Sequence, residues 1–320
     1  MLYGAEGTSF LTAGRGWTDQ SLPLRLLNSL TFQLNPEVPF IPTSPLMGMG
    51  HGHYVFRDFD TKEEVYARMQ KAHFTAYTEF GMPGPSSVEV LKQIIPEKEL
   101  WPPKPGTSWE SHHAFKAWVG NTWLMEDMLA DYFGQAVNLE TLVQQGQLMQ
   151  SEGYKAIYEE ARRQKPYCSM ALNWCFNEPW PTAANNSIVN YPALPKPAFQ
   201  AVSDACRPLC ASARIKKFQW REGEEFTADI WVLNDLPEPV SGGRITVRLV
   251  SASKSIELLK WDFDSIPANQ NMAGPTVRCI MPDPEAEQFK LILEYEGKPQ
   301  YNSEYTMLFK GNPNKKKGHR

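Results

Sequence analysis

Three acidic residues stand where short apolar runs give way to glycine or proline: Glu6 in LYGAEG, Glu79 in AYTEFGMPGP and Glu178 in CFNEPWP. The run containing Phe74, Ala76 and Tyr77 is rich in strand-favouring side chains. It cannot continue through Gly81, Pro83, Gly84 and Pro85, so Glu79 is predicted to close a strand. Paired carboxylates flanking one bond are the apparatus of glycoside hydrolysis. One protonates the leaving oxygen; the other attacks the sugar or activates water. The attacker must stay ionised, and the acid must carry a raised pKa. Flat side chains with polar edges suit sugar rings, and His51, His53, Tyr54, Trp101, Trp109, Trp174 and Trp180 all fall in predicted loops or strand exits. Blander readings compete. A glutamate at a strand end is more often a solvated surface residue, and ten tryptophans can serve packing alone. The pair His51 and His53 is a weak metal signal, and no metal or other cofactor is expected.

The elements that would position these residues alternate in kind. SLPLRLLNSL at 21–30 has helical spacing, and VPFIPTSP at 38–45 reads as a short strand running into prolines. GHGHYVF at 50–56 is a loop or strand. Asp60 and Glu63 form a capping-box pattern for a helix over about 61–72. The Pro- and Trp-rich stretch 96–123 reads as a long loop. Asn138 is placed to cap a helix over about 139–164, in which Leu139, Leu142, Val143, Tyr154, Ile157 and Tyr158 form one core-facing stripe. Residues 196–206 form a further helix. Strand and helix in alternation, with polar residues at the strand exits, predict an α/β layer with a parallel sheet, in which chemistry sits at the carboxyl ends of the strands.

Composition changes near residue 210. From there ARIKKFQWREGEEFTADIWVLNDL, GGRITVRLVSAS, TVRCIMP and FKLILEYEG alternate with period two. Turn signals punctuate them at Asn234-Asp235, Gly242-Gly243 and Glu296-Gly297. About seven strands in about 100 residues predict an immunoglobulin-like sandwich. The expected division is 1–208, 209–310 and a basic tail at 311–320. A net charge of −4 over 320 residues favours neither nucleic acid nor an anionic membrane. No apolar run is long enough to span a bilayer, and no signal peptide is evident. Five cysteines are too few for a disulfide framework; buried thiols are expected, with a Cys206–Cys210 bridge the alternative.

Taken together, the motifs resemble glycoside hydrolase family 2, nearest its beta-mannosidase-like branch. YTEFGMPGPSS resembles the nucleophile segment that ends the seventh barrel strand of that family. NWCFNEPWPTAANNSIVNYPALPKPAFQAV resembles its eighth strand with the following loop and helix. PTSP at 42–45 and GHGHYVF resemble the fifth and sixth strands, and VLNDLPEPVSG resembles the sandwich domains that follow the barrel. The resemblance implies the C-terminal part of a (β/α)8 TIM barrel followed by an immunoglobulin-like β-sandwich. It implies a retaining exo-β-glycosidase acting on terminal β-linked sugars, with β-mannoside preferred. Glu79 would be the nucleophile and Glu6 the acid/base, with Ala5 standing where the family has Asn. Trp174 would be the platform under the sugar. Glu178 stands where the family has Asp and would contact sugar or serve structure. Asn177, Trp180, His51, His53 and Tyr54 complete the expected pocket. Only barrel strands four to eight would lie in this chain, so N-terminal domains or a homo-oligomer would complete the barrel. Family habit points to the periplasm or secretion. The alternatives are a catalytically impaired carbohydrate-binding relative and a structural module that docks on another chain.

Overall fold

The computed structural model describes residues 21–311 except 42, 43, 47, 118, 119, 253 and 283–285. The expected strand exit at Glu6 and most of the 311–320 tail lie outside the described residues.

Helix α1 (Leu22–Leu34) begins at Ser21, whose hydroxyl accepts from the Leu24 amide at 3.3 Å. None of its residues is buried, and Leu22, Leu26, Leu30 and Phe32 stand exposed. The expected strand over 38–45 does not form among the described residues. Prolines at 36, 39, 42 and 45 remove a backbone donor every third residue, which no ladder tolerates. Three parallel strands do form, in the order Met49–His51, Ala76–Phe80, Ala171–Asn173, with the Glu79 strand in the middle. Among the described residues these strands form an open three-stranded sheet, and Leu172 on one edge strand is 51% exposed.

Helix α2 (Val65–Lys71) starts later than the capping box implied. Asp58 controls this turn instead. Its Oδ1 accepts from the amides of Asp60 at 3.0 Å and Thr61 at 2.7 Å, and its other oxygen pairs with Arg68. Helix α3 (Val88–Ile94) follows the Glu79 strand. The stretch 96–123 is more ordered than a loop. It carries a short helix α4 (Ser108–Ser111) and a hairpin, Phe115–Ala117 with Asn121–Thr122. Trp109 and Trp123 are fully buried beneath them, and the Trp109 indole donates to the Glu99 carbonyl at 2.9 Å. Trp109 is therefore core, not an exposed sugar platform. Helix α5 (Glu126–Phe133), unanticipated from the sequence, leads into α6 (Leu139–Arg163). Asn138 caps α6 through its Oδ1, which accepts from the Thr141 amide at 2.8 Å, and the expected apolar stripe is buried.

The chain from Leu209 forms eight strands among the described residues, in two sheets. One has the order Leu209–Ile215, Glu225–Asn234, Met272–Ile280. The other runs Gln219–Arg221, Ser303–Lys310, Gln288–Tyr295, Gly243–Val250, Ser255–Phe263. Period-two alternation puts Ile245, Val247 and Leu249 directly opposite Tyr295, Leu293 and Leu291, all buried. Helix α7 (Pro197–Ala205) packs on α6 and delivers the chain into the first of these strands. The far face of α6 meets the sheets through buried charge: Glu159, Glu160 and Arg163 are all buried, and Arg214 pairs with Glu160 at 2.6 Å. Each buried carboxylate has a cation or hydroxyl partner, as its desolvation demands. Cys206 and Cys210 carry free thiols rather than a bridge, and Cys206 is exposed.

Candidate active site

Glu79 is the next-to-last residue of the central strand, and its neighbours come from the ends of the strands on either side. On one side, the Gly52 amide donates to the Glu79 carbonyl at 2.8 Å, and the Gly81 amide donates to the His53 carbonyl at 2.7 Å. These bonds carry the pairing past the strand end and bring the 51–54 segment alongside the carboxylate. On the other side, the Trp174 amide donates to the Phe80 carbonyl at 2.7 Å.

The carboxylate of Glu79 has 32% of its side chain exposed and two partners from the neighbouring segment. The Tyr54 phenol donates to Oε1, and His51 Nε2 lies 3.7 Å from Oε2. Burial, with the Glu79 carboxylate beside it, raises the Tyr54 pKa, so the phenol stays a donor. Burial lowers the pKa of His51, against the pull of the Glu79 charge. His51 is fixed from behind, its Nδ1 lying 3.2 Å from both the Ser44 and the Thr78 hydroxyls. The Trp174 ring stands edge-on to Tyr54 with centroids 5.8 Å apart, and Trp174 is 38% exposed. Gly81 is required beside them. A Cβ there would come within 2.6 Å of Asn186 Cγ and 2.8 Å of the Tyr54 ring, so a side chain would push the phenol off the carboxylate.

The structure thus gathers Glu79, His51, Tyr54 and Trp174. His53 is buried on the other side of its strand segment. Burial first, and then the Arg68 charge, depress its pKa to about 3. It is buried, with 1% of its surface exposed. Glu178, expected to contact sugar or serve structure, is buried and held in an ion pair. Its Oε1 pairs with Lys196 Nζ at 3.3 Å and accepts from the Ser187 hydroxyl at 2.6 Å, and its Oε2 accepts from the Tyr191 amide at 3.2 Å. Asn177 is exposed and makes a bridge with Val189. Trp180 is 42% exposed and stacks on His112. Trp101 is partly exposed within the 96–123 stretch. Glu6 lies outside the described residues. Sequence reasoning missed Ser44, Thr78 and Lys196. A small hydroxyl or a lysine before a proline carries no local signal of this kind; only the pairing of distant segments reveals it.

Among the described residues no group of three potential ligands could hold a metal ion, and no helix is long and apolar enough to cross a membrane. No protein-family model matches the chain. Beta-mannosidase B of Aspergillus niger is 24% identical over 266 residues, covering 76% of this chain and 30% of that protein. Beta-mannosidase B of Aspergillus clavatus is 30% identical over 145 residues, 43% of this chain and 16% of that protein. The chain therefore spans about 30% or less of the length of these relatives. Among solved structures, the beta-D-mannosidase of Dictyoglomus thermophilum superposes with a TM-score of 0.63 at 20% identity, covering 89% of this chain and 34% of that one. The exo-chitosanase CsxA of Amycolatopsis orientalis does so with a TM-score of 0.55 at 19% identity, covering 72% and 27%. The mannosidase relatives and the shared fold make the chain similar to the C-terminal part of these beta-mannosidases.

Proposed function

We propose that this chain carries the nucleophile half of a retaining exo-β-glycosidase site, with β-mannoside as the preferred sugar. Glu79 attacks the anomeric carbon, the leaving group departs with a proton, and a covalent glycosyl-enzyme intermediate forms that water then hydrolyses. The observation that carries this reading is the carboxylate at the end of a central parallel strand, a third exposed and aligned by Tyr54. A nucleophile must be pointed at its target, and the phenol O–H donated to Oε1 orients the carboxylate. Trp174 supplies the apolar face under the sugar. Glu6 is our choice for the acid/base; retention calls for its carboxyl about 5–5.5 Å from that of Glu79. In this reading residues 1–208 form the later strands of a (β/α)8 barrel and 209–310 an immunoglobulin-like sandwich. The open sheet edge at Leu172 and the uncovered apolar face of α1 are where further barrel strands would seat, from N-terminal domains or a second copy.

The test is intact mass after incubation with 2-deoxy-2-fluoro-β-mannosyl fluoride, then peptide mapping. One sugar adduct on Glu79 supports the reading; no adduct with manno, gluco or galacto reagents on folded protein rejects it. A second reading, a carbohydrate-binding relative without turnover, is favoured by Ala5 in place of the family's Asn. Glu79→Gln separates the two, since it abolishes turnover in an enzyme but leaves most sugar affinity in a binder.

A further inference from the structure

Trp180, in the loop that follows Trp174, is both exposed and braced. Its indole stacks on the His112 ring, with centroids 5.9 Å apart and planes 29° from parallel. His112 is itself fixed: Nδ1 lies 2.8 Å from the Pro181 carbonyl, its amide donates to Ser108, and its own carbonyl accepts from the Ala183 amide at 2.6 Å. With this ring beside it, Trp180 stays 42% exposed. A flat apolar surface held still in this way costs little entropy to occupy.

Its place in the fold is equally specific. The strands Ala76–Phe80 and Ala171–Asn173 are parallel, so the chains leaving them emerge at the same end of the sheet. The loop bearing Trp180 is stapled to the turn that follows Glu79: the Ser86 amide donates to the Ala183 carbonyl at 2.9 Å, and the Ser86 hydroxyl to the Thr182 carbonyl at 2.6 Å. Trp174 already flanks Tyr54 and the carboxylate. Trp180 therefore belongs to the same end of the sheet but to a different position on it, further along the loop and against the 96–123 segment.

We propose that the Trp180–His112 stack is the platform for a second sugar ring, on the leaving-group side of the scissile bond, so that the 96–123 segment sets a preference for oligosaccharides over single-ring substrates. This rests on the hydrolytic reading of Glu79. The test compares β-mannosyl fluoride, which has no ring on the leaving side, with β-1,4-mannotriose. Trp180→Ala lowers kcat/KM for mannotriose about tenfold and leaves the fluoride within about twofold. His112→Ala lowers mannotriose turnover in the same direction, and His112→Phe, which keeps a flat ring under the indole, restores most of it. Equal losses on both substrates, or no loss on either, overturn the platform while leaving the nucleophile assignment standing. If the parent chain does not turn over the fluoride, the hydrolytic reading fails instead. Titration with mannotriose and mannose then decides the platform: a trisaccharide advantage lost in Trp180→Ala supports it, and equal affinities or no binding overturn it.

Discussion

Replacing Lys196 by methionine tests how the loop over the site is held. Lys196 and Glu178 both have side chains with no exposed area, and their charged atoms lie 3.3 Å apart. The ammonium also reaches the carbonyls of Gly84 at 3.4 Å and Asn185 at 3.5 Å, tying the turn after Glu79 to the 178–196 loop. Burial lowers the Lys196 pKa, and the Glu178 carboxylate opposes that shift. Methionine fills the same space without the charge, so the carboxylate of Glu178 is left buried and uncompensated. Removing one partner of such a pair costs about 3–5 kcal/mol, a large share of the roughly 5–15 kcal/mol that holds a typical protein folded. Thermal unfolding should fall by about 10 °C. Adding Glu178→Gln removes the stranded charge and keeps an acceptor for Ser187, so the double variant should lie only about 1–2 kcal/mol below the parent. The assay is urea unfolding across the four-member cycle, with 2-fluoro-mannosyl labelling of Glu79 read on each. A single Lys196→Met loss below about 1 kcal/mol, or a double variant less stable than that single one, would refute the reasoning.

Three other perturbations follow from the same geometry. Tyr54→Phe removes the donor to Glu79 and should lower turnover by about 10- to 100-fold with little change in melting temperature, checked by kcat against calorimetry. Gly146→Ala, though favoured by helix propensity, should destabilise by about 1–3 kcal/mol, because a Cβ there would meet Pro85 Cδ at 2.5 Å; urea unfolding reads it. For His53, the folded pKa is about 3 against an unfolded 6.5, so the unfolded chain binds the extra proton first. Stability should fall as pH drops from about 6.5 towards 3 and level below that, and His53→Gln should flatten the slope in a pH series of unfolding free energies.

The sequence by itself determined the elements whose cause is local. Asn138 and the apolar stripe behind it specify α6. The alternation through GRITVRLV and FKLILEY specifies strands whose inner faces meet. Glu-Phe-Gly announces a carboxylate at a strand end, because glycine and proline stop the strand there whatever surrounds it. The proline spacing through 36–45 is equally local, and among the described residues there no strand forms. Only the tertiary structure decided which polar residues face solvent. Glu79 and Glu178 look alike in the sequence, each following an apolar run. One is a third exposed beside Tyr54 and His51, and the other is sealed against Lys196. Trp109 and Trp180 divide in the same way, one into the core and one onto His112. Exposure depends on which distant segment lies opposite a side chain. That pairing is set by the sheet order and the loops packed on it, so no single stretch of chain encodes it.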